Sequence, residues 1–476
     1  MTAALTLPAI IQGGMGVGVS SWRLASAVSR LGQLGVVSGT GPDTTFVRRL
    51  QDGDPGSHLR RAMAEFPIPH VAAAALKKYF LPEGRPPGTP YKLLPMYQQT
   101  VGKARQQLTM LGAFVEVRLA KSGHDGLVGM NLLTKIQLPT LATLYGAMLA
   151  GVDYILMGAG IPREIPAVLD ALSRHEPASI RFDVEGLPPG NVEHLQLDPQ
   201  AIWEGHVPSE VVRPRFLPII ASNSLATMLA RKASGRIDGF VIEGPTAGGH
   251  NAPPRGESQL NPRGEPVYGP RDEVDLAKIV ELGLPFWLAG GTGHPERLRQ
   301  ARAAGAAGIQ VGTLFAFCDE SGLEEHLKRS ILARAARGEV DVHTDPSASP
   351  TGYPFKVVTW PDDPSAGVVR ERVCDLGYLR VPYTTPEGKI GYRCAAEPVE
   401  AYVEKGGHRE DTEGRRCLCN ALMATIGLGQ VRPDGTVEPP LVTSGDDLLS
   451  IGAFLRGRTS YSAADVIGYL LGETAG

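Results

Sequence analysis

Four glycine-rich stretches and one histidine carry the residues best suited to chemistry. Gln12-Gly13-Gly14-Met15-Gly16 follows an apolar run at 9–11. Bare backbone at such a turn lets a flat ligand approach closely and offers N–H groups to its edge. Ala289-Gly290-Gly291-Thr292-Gly293 and Gln310-Val311-Gly312-Thr313 each close a later apolar run. Paired turns of this kind, after the last two strands of a barrel, make a phosphate site from backbone N–H groups and a helix N-terminus. No lysine follows in Walker spacing, so this is not a P-loop. Glu243-Gly244-Pro245-Thr246-Ala247-Gly248-Gly249-His250-Asn251 sets His250 on a double-glycine loop past a strand end. An imidazole there can reach into a barrel mouth as base, acid or donor to an anion. Asn131, at the end of Val128-Gly129-Met130-Asn131, supplies an amide able to donate and accept at a heterocycle edge. Taken singly, each cluster is also what an ordinary tight turn looks like, and Lys135 reads as a solvated charge.

A second set lies in the last third of the chain. Cys374, Cys394 and the pair Cys417-Leu418-Cys419 could supply four thiolates to a tetrahedral zinc or to an iron–sulfur cluster. The C-x-C pair is less typical of such sites than C-x-x-C. The competing reading is four unconnected thiols packed as small apolar groups. With Cys318 the count is odd, and no charged, cleavable leader opens the sequence. Both features predict reduced thiols in the cytoplasm rather than a disulfide framework.

The elements that must position these residues are read from hydrophobic runs. Apolar segments at 9–11, 34–37, 127–132, 154–157, 216–221, 239–242, 286–288 and 308–311 alternate with helical segments, including 22–31, 141–150, 165–173, 225–233, 274–282 and 295–304. Continuous apolar strands between helices predict a parallel sheet covered on both faces, and eight of them predict a closed (β/α)8 TIM barrel, an α/β fold. Two stretches interrupt the rhythm, 39–125 and 176–215, the latter with 182–184 as an extra strand. Insertions of this kind sit at barrel ends as lids or oligomer contacts, which leaves a homodimer open. The alternation stops after Asp345, so the reading is a barrel over 1–345 and a Cys-containing C-terminal extension over 346–476. Ser462 and Asp465 predict a capping box for a last helix at 463–471.

Composition narrows the function classes. The 476 residues include 58 Gly and 39 Pro, too few for a collagen-like or low-complexity chain. Hydrophobic residues at 42% suffice for a large core, and a net charge of −3 with 6% aromatics disfavours a nucleic-acid surface. The apolar stretch 138–162 is broken by Gly151, Asp153, Gly158 and Gly160, so it reads as a buried helix and strand, not a membrane span.

In order along the chain, Ile10-Ile11-Gln12-Gly13-Gly14-Met15-Gly16, Val128-Gly129-Met130-Asn131-Leu132, Gly158-Ala159-Gly160-Ile161-Pro162, Ala247-Gly248-Gly249-His250, Ala289-Gly290-Gly291-Thr292 and Gln310-Val311-Gly312-Thr313 resemble the FMN-dependent nitronate monooxygenase family. That superfamily also holds flavin-dependent enoyl-thioester reductases. The resemblance implies FMN at the barrel mouth, with Gly13, Gly14 and Met15 against the isoalloxazine and Asn131 bonded to the ring. Gly248, Gly249, Gly290, Gly291, Gln310, Gly312 and Thr313 would hold the ribityl phosphate side. His250 matches the catalytic histidine, placed to take an α-proton or orient a nitronate. The implied reaction passes one electron from nitronate to FMN, consumes O2, and splits the C–N bond to carbonyl and nitrite. Three departures bear on substrate: Pro245-Thr246 before the glycine–histidine loop, the long 39–125 insertion, and the extension. The alternatives are an NAD(P)H-dependent enoyl-thioester reductase serving an acyl carrier, and a non-catalytic flavin- or thioester-binding partner in a biosynthetic complex.

Overall fold

Eight short apolar strands, each ending in glycine or a small polar turn, organise the chain. A computed structural model describes residues 7–203, 208–257, 259–361, 363 and 371–472. The reading of residues 1–6 as lacking a leader lies outside these described residues. The strands are β1 (Ile10–Gln12), β2 (Gly35–Ser38), β3 (Val128–Leu133), β4 (Tyr154–Gly158), β5 (Arg215–Ile220), β6 (Phe240–Glu243), β7 (Phe286–Ala289) and β8 (Gly308–Val311). They pair in parallel in the order 1-8-7-6-5-4-3-2. Gln12 N donates to Leu34 O at 2.9 Å and Leu34 N to Ile10 O at 3.1 Å, which joins β1 to β2 and closes the barrel. The predicted strands all stand, each within two residues of its expected ends.

Ile11, Val36, Leu156, Leu217, Val241 and Trp287 point inward and fill the barrel as a core separate from the one beneath the helices. The Trp287 indole donates to Pro8 O at 2.8 Å, so its one polar group is satisfied in an apolar interior.

The outer ring is α1 (Trp22–Arg30), α2 (Lys103–Ala120), α3 (Thr140–Leu149), α4 (Ile165–Ser173), α5 (Asn223–Lys232), α6 (Leu276–Val280), α7 (Pro295–Ala303) and α8 (Ala463–Leu471). Two of these differ from expectation. Helix α2 lies inside the stretch read as an insertion, yet it packs between α1 and α3 as a ring helix. From Gln107 to Ala120 only Arg118 escapes full burial, so α2 lacks the polar face by which a surface helix is recognised. Helix α8 comes from the C-terminal segment and packs against both α7 and α1. The chain thus leaves the ring after β8 and returns about 150 residues later to complete it. Ser462 and Asp465 form the expected capping box.

In the 176–215 stretch, Ala178–Phe182 pairs antiparallel with Glu193–Leu197; the strand stops at Phe182, short of Asp183 and Val184. Beyond the barrel, β9 (Asp341–Asp345) and β10 (Phe355–Thr359) pair as an antiparallel hairpin. A buried network ties the 39–125 insertion to the C-terminal segment: Arg105 pairs with Asp43 at 2.5 Å, and the Tyr378 hydroxyl donates to Asp43 Oδ1 at 2.5 Å. Among the described residues no helix is long and apolar enough to cross a membrane.

Candidate functional site

The C-terminal ends of the strands surround a cavity of about 210 Å³. All eleven residues expected to hold FMN border it, from Gly13 to Thr313, and so does His250. The glycines are required by close approach. A Cβ on Gly14 would lie 2.0 Å from the Asn131 Cβ. Gly290 holds φ +90° and Gly291 φ +63°, conformations side chains rarely adopt, and a Cβ on Gly290 would meet Gly244 O at 2.9 Å. Gln12, fully buried beneath the first cluster, accepts from Val36 N at 2.8 Å and donates to Ser20 Oγ at 2.8 Å, which fixes the turn.

His250 is held by the segment after β9. Its Nε2 lies 2.7 Å from the Ser349 hydroxyl, which also bonds Thr351 Oγ1 at 2.8 Å. The Phe355 ring stands edge-on to the imidazole at 4.8 Å between centroids. Burial first, and then the nearby Lys135 charge, lower the His250 pKa to about 4, so the ring is neutral at pH 7. Lys135, read as solvated, also lies 4.8 Å from the Tyr353 ring centre.

Sequence reasoning missed two contributions. Glu243 ends β6 on the cavity wall, and burial raises its pKa to about 7. The available signal was a carboxylate terminating an otherwise apolar strand. The other is Thr443-Ser444-Gly445, from the C-terminal segment, on the wall beside the glycine turns. Thr443 Oγ1 accepts from Gly249 N at 2.9 Å, and Gly445 N donates to Thr313 Oγ1 at 3.1 Å. Asp447 completes this edge by accepting from Gly293 N at 3.0 Å. These small polar residues look like any turn in sequence.

The arrangement fits a flavin phosphate on grounds of its own. Gln310 Oε1 is buried at the cavity without a hydrogen-bond partner, an acceptor that a ligand hydroxyl or ring N–H would satisfy. The glycine turns at β7 and β8 line the same cavity, as a phosphate cradle requires.

Residues 211–345 match the nitronate monooxygenase family. The matched region holds β5 to β8, and with them Gly248, Gly249, His250, Gly290, Gly291, Gln310, Gly312 and Thr313. A nitronate monooxygenase of Paraburkholderia phytofirmans is 28% identical over 175 residues, 36% of this chain. The alignment spans about two fifths of that relative, 41% of its length. Among solved structures, nitroalkane oxidase from Streptomyces ansochromogenes is 14% identical, with a TM-score of 0.48 over 98% of this chain and 96% of that one. FabK from Thermotoga maritima is 16% identical, with a TM-score of 0.46 over 98% and 93%.

The four cysteines expected to bind metal need a correction. They border a second, smaller cavity together, but among the described residues no group of three or more His, Cys, Asp or Glu is placed to hold a metal ion. Neither a tetrahedral zinc nor an iron–sulfur cluster at Cys374, Cys394, Cys417 and Cys419 is therefore supported. All five cysteines are free.

Glu243 leads to a prediction that involves no turnover. Its carboxyl gains charge as pH rises through about 7, inside a cavity suited to an anionic cofactor. FMN affinity, read by flavin fluorescence quenching, is expected to fall several-fold between pH 6 and 8. The Glu243→Gln protein is expected to show a flat profile; an unchanged slope would remove Glu243 from the site.

Proposed function

We propose that this chain is an FMN-dependent oxidoreductase that oxidatively denitrifies nitronates with O2. The observation that carries the reading is His250, neutral and half-buried on the wall of a glycine-lined cavity that also gathers Asn131 and the β7 and β8 turns. Gly13, Gly14, Met15 and Asn131 would hold the ring system, and Gly248, Gly249, Gly290, Gly291, Gln310, Gly312 and Thr313 the ribityl phosphate. When bound, FMN supplies the electron chemistry and the reaction with O2. The residues do the rest: glycine backbone sets the plane, Ser349 fixes the imidazole, and the apolar wall keeps water from the reacting carbon.

The low His250 pKa bears on which form of substrate is taken. A neutral imidazole of pKa about 4 is a weak base toward a C–H acid, so a nitroalkane gains little from it. A preformed nitronate needs no proton removed; His250 then orients the nitro group by donating a hydrogen bond.

A second reading, an NAD(P)H-dependent enoyl-thioester reductase, draws support from the apolar side of the cavity. Leu133, Ile136, Phe355, Leu379, Leu418 and Leu422 form it, and no lysine or arginine is among the lining residues. Such a wall suits an acyl chain better than an anionic tail. Anaerobic mixing separates the two readings. The flavin should bleach with an alkyl nitronate within a turnover time and stay oxidised for minutes with NADPH. Bleaching by NADPH alone would replace the first reading with the second.

A further inference from the structure

Glu243, Ala289 and Gln310 stand side by side at the ends of β6, β7 and β8, each paired in register with its neighbour. Residues paired in this way share a face of the sheet. Val241 and Trp287, two residues before Glu243 and Ala289, fill the barrel interior, and so does Ala289 itself. The period of two therefore turns Glu243 inward as part of the top layer of the barrel. All three residues border the flavin cavity. Only the Ala289 methyl group stands between the two longer polar side chains, and Gln310 Oε1 there lacks a hydrogen-bond partner. This row is a polar floor at the end of an otherwise apolar barrel.

The charge balance of the cavity decides what Glu243 does there. No lysine or arginine is among the described residues that border it, and the titratable groups besides Glu243 are His250, Tyr378, Cys419 and Asp447. His250 is neutral at pH 7, its pKa lowered to about 4 by burial and then by Lys135. Burial raises the Tyr378 hydroxyl and the Cys419 thiol well above their ordinary values, so both keep their protons. Burial raises Asp447 too, but the Gly293 N–H donates to it at 3.0 Å and favours the carboxylate. Glu243, raised to about 7, changes charge near neutrality. A flavin that gains two electrons and one proton gains one negative charge. With no cation in the wall, that charge stays uncompensated unless a second proton follows it.

We infer that Glu243 is the redox-linked proton site of this cavity, taking up a proton when bound FMN is reduced and releasing it on reoxidation. Reduction then consumes two electrons from the donor and two protons from solvent. One proton goes to FMN, and the other converts the Glu243 carboxylate to the acid. Negative charge arriving in the cavity favours the protonated acid, which is the direction this coupling requires. The role rests on FMN binding, as proposed above, and is independent of which substrate supplies the electrons.

The slope of the flavin midpoint potential against pH counts the protons taken up per electron. It is measured from pH 8 to 9, above the Glu243 pKa, by equilibrium reduction of the FMN-loaded full chain against indicator dyes. The unaltered chain is expected to take up about two protons per two electrons and Glu243→Gln about one, so the slope halves. Equal slopes would overturn the inference, because the second proton would then go elsewhere. Should Glu243→Gln fail to fold, the reduced-minus-oxidised infrared spectrum of the unaltered chain at pH 8.5 decides. A protonated-carboxyl band is expected to appear on reduction and to shift when glutamate carries carbon-13. No such band, or one that shifts only with carbon-13 aspartate, would overturn the assignment. The FMN content of the same samples keeps the two readings apart. A chain that takes up no FMN overturns the proposed function and this role together, whereas a loaded chain with equal slopes overturns this role alone.

Discussion

His250→Ala is expected to lower the rate of flavin reduction by nitronate by about 100-fold or more, the usual scale for losing a hydrogen-bond donor positioned on the reacting group. FMN content should stay within twofold, because the glycine turns that cradle the cofactor do not depend on the imidazole. The pH profile carries the sharper signature. The neutral form of His250 predominates above a pKa of about 4, so its contribution is constant from pH 6 upward and is lost as pH falls through about 4. A second limb near pH 7 belongs to Glu243 and should disappear in Glu243→Gln. Ser349→Ala tests positioning: the hydroxyl 2.7 Å from Nε2 orients the ring without touching substrate. Its loss should reduce kcat more than it raises KM. An acid limb that survives in His250→Ala would mean another group titrates there.

Gly290→Val is expected to abolish FMN binding, by 100-fold or more in Kd, while the barrel still folds. The added side chain would have to adopt φ +90° and place its Cβ 2.9 Å from Gly244 O and 3.1 Å from Ala247 N, backbone atoms that cannot give way. The displaced turn is the one that, with Gly312 and Thr313, forms the proposed phosphate cradle. Circular dichroism distinguishes cofactor loss from unfolding. Gly283→Ala is the control: Gly283 also holds positive φ, +69°, but a Cβ there meets nothing within 4 Å and it lies away from the cavity. It should cost only the local backbone strain and keep full FMN affinity.

The barrel was legible because its strands are continuous apolar runs closed by glycine, and the same glycines mark the site. Asn131 and His250 could be placed at the mouth for that reason: both stand at the ends of recognisable strands. What could not be read obeys a different physics. Helix α2 is buried nearly all round and so shows no helical period in polarity. Helix α8 is a plain amphipathic helix whose place in the ring depends on a return of the chain that no local pattern encodes. Thr443 and Ser444 reach the glycine turns across almost 200 residues of sequence, and Thr, Ser and Gly at a turn carry no sign of a distant partner. The four cysteines do come together beside one small cavity, but spacing alone could not tell that packing from a metal site.

FMN in the cavity at the ends of β1 to β8 is the central expectation. Its most direct test is to denature the purified, unaltered chain and identify the released chromophore by chromatography and mass. One FMN per chain, released from the unaltered protein and from Gly283→Ala but missing from Gly290→Val, is the predicted result. FAD, or a colourless chain that takes up no FMN when it is supplied, would contradict it.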